Sequence, residues 1–311
     1  MSSIQPPMPI TRRPFDIRPL PPYPRKPPKP TPQEKDVTVC LAIACDSFAK
    51  DTNPKLVLIT DQMVSTVTSS SLSRKMWKLL DSWHVMLAGS DITLVSNVLA
   101  TSYDSISKVQ SPGPQDVSHA IKTAYQSRRK TQLEDLYLKA YELDMKTFIE
   151  EGRKKLGGSM FEQMKFQMDQ YDLGFTLLVC GFPNVTASFP VFFEVNNPGV
   201  VSPRTVPGNY AGIGTGAPNA LSYLDWKKQS QTTPLSETVY NGIVAKALAE
   251  SALGVSKETM VTIVERAASF PHKTLDEKHV QDIRRMWEIE EASARPINLQ
   301  SRVTEILKSS L

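Results

Sequence analysis

The sequence is poor in the residues that staple small proteins or anchor proteins in membranes. It has three cysteines in 311 residues, Cys40, Cys45 and Cys180. Three cysteines make no disulfide framework, and their spacing is not that of a metal site. Each sits in or beside an apolar stretch, which predicts buried free thiols, a reducing compartment and a cytoplasmic location. The histidines His84, His119, His272 and His279 are scattered. No cofactor and no metal are expected. No apolar run is long enough to cross a membrane, and no apolar segment of signal type opens the chain, so no membrane partner is expected. The body also lacks an excess of either charge. Residues 1–36 hold seven Lys/Arg and three Asp/Glu, which accounts for the net charge of +4, and the rest of the chain holds 29 of each sign. No basic face is implied, which excludes nucleic acid as a partner.

What the sequence has in excess is proline, and only at its start. Half of the 24 prolines fall within residues 1–36, with no apolar periodicity. This composition predicts a disordered or polyproline-type tail, dispensable for folding. The run PPYPRKPPKP within it is either a spacer without a partner or a ligand of a Pro-binding module.

Beyond the tail, residues 37–44 alternate large apolar residues (Val37, Val39, Leu41, Ile43) with small ones (Thr38, Cys40, Ala42, Ala44). A period of two with both faces apolar predicts a strand buried on both sides. Leu56–Ile59 is a second continuous apolar run and ends close to Asp61. Lys75 follows a Ser/Thr-rich link, and Gly89 closes a later apolar stretch. Thr38, Asp61 and Lys75 form a coherent chemical set. A threonine hydroxyl is a weak nucleophile that needs an adjacent base, and a free N-terminal amine is one known base. That amine titrates near ~8, a lysine ammonium beside it lowers this, and a carboxylate holds the lysine in place. The set requires Thr38 to become an N-terminus. Taken one at a time, the three residues also have plain structural readings as a strand threonine, a turn aspartate and a solvated lysine.

The segments VTVCLAIAC, LITDQ, SRKMWKL and MLAG resemble, in order and spacing, the N-terminal half of proteasome β-type subunits, which are N-terminal-nucleophile hydrolases. The resemblance is nearest to the bacterial ancestral-β-subunit type. It places Thr38 on the nucleophile, Asp61 on the strand-end carboxylate and Lys75 on the lysine, with Gly89 at the oxyanion position. The later GIGTGAPNAL at Gly212–Leu221 resembles the family's Gly-rich segment, with Thr215 at its hydroxyl position. No lysine stands in the phosphate-binding position, so this segment reads as a tight strand-to-helix turn. The chain departs from the pattern at a longer first hairpin (residues 45–55) and at Asp36-Val37 before the candidate nucleophile. It departs again at ALGVSK near Ala252–Lys257, where Ser256 alone remains of the family's late polar elements.

The remaining pattern predicts a hairpin over residues 77–88 and a helix capped by Asp91. A long amphipathic helix follows from Gln115 to about Gly152, then a Met-rich helical piece at Met160–Tyr171. Strands are predicted at Phe175–Gly181, Val191–Val195, Tyr210–Ile213 and Thr259–Val264, with helices at Ala220–Trp226 and from Leu235. Runs of strands then runs of helices predict an α+β fold, and the resemblance implies a four-layer αββα sandwich. The expected divisions are a tail (1–36), a proteasome-like domain (37–270) and a helical extension (271–311). Two functions stand open. One is a threonine peptidase or amidase acting on peptides or unfolded protein after loss of the tail. The other is an inactive pseudo-subunit with an assembly or binding role. The resemblance implies a homo-oligomeric ring in either case.

Overall fold

The computed structural model describes residues 38–47, 53–65, 70–72, 75–89, 91–204, 209–252, 254–267 and 269–294. The expectation for the tail falls outside these residues, as does the helical extension beyond residue 294. In chain order the strands and helices begin with β1 (Cys40–Cys45), β2 (Lys55–Asp61), β3 (Met63–Ser65), β4 (Ser70–Leu72), β5 (Met76–Leu80) and β6 (Trp83–Gly89). Four helices follow: α1 (Ile92–Ile106), α2 (Pro114–Leu133), α3 (Met145–Leu156) and α4 (Gly158–Gln170). Next come β7 (Phe175–Gly181), β8 (Val191–Asn196), β9 (Val200–Pro203), β10 (Tyr210–Ile213), α5 (Ala217–Trp226), α6 (Leu235–Ala249), β11 (Thr259–Glu265), β12 (His272–Thr274) and α7 (Glu277–Ala294).

The fold is α+β, as expected. One sheet has the order β10-β1-β2-β11-β12 and the other β5-β6-β7-β8-β9, five strands each. Every pairing within them is antiparallel. The two-residue period of β1 sorts its side chains. Val39, Leu41, Ile43 and Cys45 pack with residues of α5, α6 and α7, whereas Cys40, Ala42 and Ala44 pack with Met86, Ala88, Leu178 and Cys180 of the second sheet. On the far face of that sheet, Val85, Leu87, Leu177 and Val179 meet α1 and α2. Small residues on the inner face of β1 leave room for the facing sheet's larger ones.

Helix α6 lies close against the first sheet. A Cβ built on Gly242 would sit 2.5 Å from Ile59 Cδ1 and 3.0 Å from Ile43 Cδ1. Gly242→Val is therefore expected to overpack this seam at a cost of about 1–3 kcal/mol. That corresponds to a loss of several degrees in Tm, measured by thermal unfolding followed by circular dichroism.

Three features differ from the sequence reading. The predicted long helix from Gln115 to Gly152 is two helices. α2 ends at Leu133 and runs on as a π turn (Glu134–Leu138) and a short 3-10 turn (Lys139–Tyr141). Glu142 is left-handed at φ 54, and Asp144 then caps α3, accepting the Thr147 N–H at 2.7 Å. Leu133 of α2 and Phe148 of α3 turn toward each other and, with Leu138 and Leu143 between the helices and Met164 and Met168 of α4, form a separate cluster. A continuous helical period thus arises from a helix that folds back. The second difference is that β9 and β12 have no counterpart in the sequence reading. Both are short strands at sheet edges, and β12 is exposed throughout. The third is that two short strands, β3 and β4, pair antiparallel within the Ser/Thr-rich link.

Candidate active site

Each member of the threonine, aspartate and lysine set is delivered by the end of an element. Thr38 precedes β1, Asp61 is the last residue of β2, and Lys75 immediately precedes β5. β1 and β2 pair in register from Cys40↔Thr60, and the Asp61 N–H donates to the Val39 carbonyl at 3.2 Å. The Lys75 carbonyl accepts the Leu87 N–H at 2.9 Å, which ties it to β6 of the other sheet. The site therefore lies where the ends of the two sheets meet.

The three side chains are in direct contact and all are buried. The Thr38 hydroxyl donates to Asp61 Oδ1. Lys75 Nζ donates to Thr38 Oγ1 at 2.7 Å and to both Asp61 oxygens at 3.1 Å. Asp61 Oδ1 also accepts the Val39 N–H at 3.2 Å. The ammonium thus uses its three donors on the carboxylate and the hydroxyl. Among the described residues the charges in this contact are one carboxylate and one ammonium, and each is held by several hydrogen bonds.

The Gly-rich segment closes the other side of Thr38. The Gly216 N–H donates to the Thr38 carbonyl at 3.1 Å, and Thr215 Oγ1 accepts the Thr38 N–H at 3.4 Å. Gly214 has φ 94, and a Cβ there would stand 2.4 Å from the Thr38 carbonyl oxygen. Glycine is needed at this turn for both reasons. Ser256 is close behind this segment in the α6–β11 connection, but its hydroxyl donates to the Glu258 carbonyl at 3.4 Å. Gly89 ends β6 opposite Phe175 at φ 142, apart from the hydrogen bonds that join Thr38, Asp61 and Lys75.

Cys40 is the other nucleophile type near this set, and it is disarmed. Its Sγ donates to the Leu87 carbonyl at 3.3 Å. Burial, and then the neighbouring Asp61 carboxylate, hold its thiol far above the usual range. Burial also lifts Cys180, and it lifts Cys45 to about 12. Since the thiolate is the reactive form, none of the three is expected to react with an aromatic disulfide reagent at pH 8 in the folded protein. All three are expected to react in denaturant, and a fast thiol in the native protein counts against this packing. No group of three His, Cys, Asp or Glu suited to a metal occurs among the described residues. His119 lines a cavity of about 510 Å³ between α1 and α2, with Ile106, Val109 and Asp116. This cavity shares no residue with the threonine set.

Lys246, Glu250 and Arg284 were not legible as site neighbours in the sequence. Lys246 is buried in α6 and lies within electrostatic reach of Asp61. Its only sequence signal is a lysine inside a helix with an apolar residue at nearly every other position.

Two antiparallel sheets flanked by helices, with a threonine just ahead of β1, resemble the fold of a proteasome-type β-subunit. The fold is that of Anbu, the ancestral β-subunit. The Yersinia bercovieri Anbu structure matches with a TM-score of 0.58 at 15% identity, over 84% of this chain and 99% of that one. The Gly-1 mutant of Anbu from Hyphomicrobium sp. strain MC1 matches with a TM-score of 0.56 at 14% identity, over 83% of this chain and 97% of that one. No protein-family model matches the chain. No curated protein sequence matches it either. The resemblance read from the motifs thus holds in the fold, at an identity where sequence alone carries no more. No helix among the described residues is long and apolar enough to cross a membrane.

Proposed function

We propose that the protein is a threonine-type N-terminal-nucleophile peptidase or amidase, built on the four-layer αββα fold, with Thr38 as nucleophile. The observation that carries this reading is the Lys75 ammonium 2.7 Å from a buried threonine hydroxyl that also binds Asp61. An ammonium there stabilises negative charge developing on Oγ1.

Residues 1–37 act as a propeptide in this reading. In the uncut chain the Thr38 nitrogen is an amide and is no base. The Asp61 carboxylate already accepts the hydroxyl hydrogen bond and takes the proton as Oγ1 attacks the Val37 carbonyl carbon. The C–N bond to Thr38 breaks while the nitrogen gains a proton, which leaves an ester between Val37 and Oγ1. Water hydrolyses that ester, the tail departs as a carboxylate, and Thr38 keeps its hydroxyl and a free amine. The amine then serves as general base for peptide cleavage, its proton affinity lowered by Lys75. Asp61 holds Lys75 in place. Thr215 orients the nitrogen, Ser256 belongs to the adjoining loop, and the Gly89 amide supports the oxyanion by its place in the family pattern. The substrate is a peptide or an unfolded protein, the subunits assemble as a homo-oligomeric ring in the cytoplasm, and the Pro-rich tail is the segment open to a Pro-binding module.

The second reading is a pseudo-subunit with an assembly or binding role. It is favoured by the complete burial of Thr38 and by the Ser256 hydroxyl bonding away from it. Intact mass and peptide hydrolysis of the purified full chain separate the two. The peptidase reading expects loss of residues 1–37 and hydrolysis, with Thr38→Ala losing both. A protein of full mass that hydrolyses nothing gives the pseudo-subunit reading. Hydrolysis that survives Thr38→Ala overturns the Thr38 mechanism.

A further inference from the structure

Helix α6 carries a charge where none is expected. Its buried residues run around the helix and include Val239, Gly242, Ile243, Val244, Ala245 and Lys246. The Lys246 side chain is 1% exposed. A buried ammonium is costly unless it is paired and hydrogen-bonded. Lys246 Nζ donates to Glu250 Oε1 at 2.7 Å and to the Ser256 carbonyl. Glu250 in turn accepts a two-pronged pair from Arg284 of α7, at 2.7 and 2.6 Å. Three side chains thus link the C-terminal helix to a carbonyl of the α6–β11 connection.

That connection touches the threonine site at two points. A Cβ built on Gly216 would sit 3.0 Å from both Ala249 Cβ at the end of α6 and Val255 Cγ2 of the connection, so both are packed against the residue whose N–H holds the Thr38 carbonyl. At its far end Thr259 opens β11 opposite Asp61. Lys246 also lies near Asp61 by register. Gly242 packs on Ile59. Four helical residues advance about 6 Å and two strand residues about 6.6 Å, so Lys246 follows Gly242 as Asp61 follows Ile59.

We propose that Arg284, Glu250 and Lys246 are positioning residues that brace the Thr38 cradle from the C-terminal helix and keep the Lys246 ammonium behind Asp61. The charged groups around Lys246 are Glu250 on its own helix, Arg284 on α7 with its own partner Glu288, Asp61 on β2 and, at the surface, Glu258 before β11. Removing the Lys246 charge leaves the Thr38 amine in a less positive field. The amine then binds its proton more tightly, and the acid limb of kcat/KM moves to higher pH. The kinetic part of this inference rests on the peptidase reading above. The structural part does not.

The test compares the full chain with Arg284→Met, Arg284→Lys and Lys246→Met, by hydrogen exchange and by hydrolysis of a fluorogenic peptide against pH. Arg284 lies near the surface, so Arg284→Met is expected to fold. It should speed exchange at the amides of Gly214–Gly216 and the 250–258 connection about tenfold while β6 and β7 keep wild-type protection. It should lower kcat about tenfold with KM unchanged, and Arg284→Lys should restore most of both. Lys246→Met should move the acid limb upward by of order one pH unit. Wild-type exchange at Gly216 in Arg284→Met overturns the proposal, as does loosening spread evenly through both sheets. If the wild type releases no tail and cleaves no peptide, the peptidase reading fails, and exchange at Gly216 alone decides the brace.

Discussion

Lys75→Ala is expected to abolish tail release and peptide hydrolysis and to lower Tm by about 10 °C. The two losses have different causes. Asp61 is fully buried, and without Lys75 its carboxylate keeps only the Thr38 hydroxyl and the Val39 N–H. Breaking one side of a buried pair costs about 3–5 kcal/mol, because the remaining charge has lost the counter-ion in contact with it. At roughly 2–4 °C per kcal/mol this is a shift of that size. The chemical loss comes from removing the one cation among the described residues in contact with Thr38 Oγ1. A double replacement separates the two. Asp61→Asn with Lys75→Met removes both charges and replaces the lysine by a side chain of similar length, so Tm should return most of the way while hydrolysis stays absent. Thermal unfolding and a peptide assay on the same preparations decide it. If Lys75→Ala loses activity but keeps its Tm, the lysine is not buried against Asp61 as described. If the double variant regains hydrolysis, the charges are not the chemistry.

The strands that meet at this site were largely legible because burial on both faces leaves continuous apolar runs. FTLLVCG appears as a strand with the bounds the pattern suggests, and the first strand appears as CLAIAC, beginning three residues later and ending one later than the alternation over residues 37–44 implied. The Asp91 cap was legible from one residue, and its carboxylate accepts the Leu94 N–H at 2.9 Å. The edge strands β9 and β12 left no such trace, since exposed strands need no apolar alternation. The break after Leu133 was hidden because both flanking helices turn the same kind of apolar face toward one cluster. The site is a different matter. No local rule brings Thr38 to Asp61 and Lys75, which stand 23 and 37 residues further along the chain. Their association was readable only through the order of motifs, and their contact is a result of the two sheets stacking. The pairing of Glu250 with Arg284 spans 34 residues and two helices. It had no sequence signature beyond a glutamate and an arginine on charged stretches.

Gly214→Ala is expected to silence the site with the fold intact, and it is the sharpest test of how Thr38 is held. The residue stands at φ 94, a conformation that costs a residue with a Cβ about 1–2 kcal/mol. The added methyl would also meet the Thr38 carbonyl oxygen at 2.4 Å, the Thr38 carbonyl carbon at 2.8 Å and Thr38 Cγ2 at 2.6 Å. Two of these three atoms are backbone, so no rotamer change relieves the overlap. Either the Gly-rich turn or the head of β1 must move by several tenths of an ångström. β1 is fixed by full pairing with β2 and β10, and Gly216 is packed on Ala249 and Val255. Thr38 lies just outside the paired part of β1 and is the atom group free to give way. Displacing its hydroxyl from Lys75 and Asp61 by that amount should reduce hydrolysis by about 10²-fold. Tm should fall by only a few degrees, because the sheets and their clusters are untouched. Ala42→Gly in the middle of β1 serves as the control, changing stability with no steric push on Thr38. Gly214→Ala with wild-type tail release and hydrolysis would show that the nucleophile does not depend on the Gly-rich turn, and the cradle described for Thr38 would have to be abandoned.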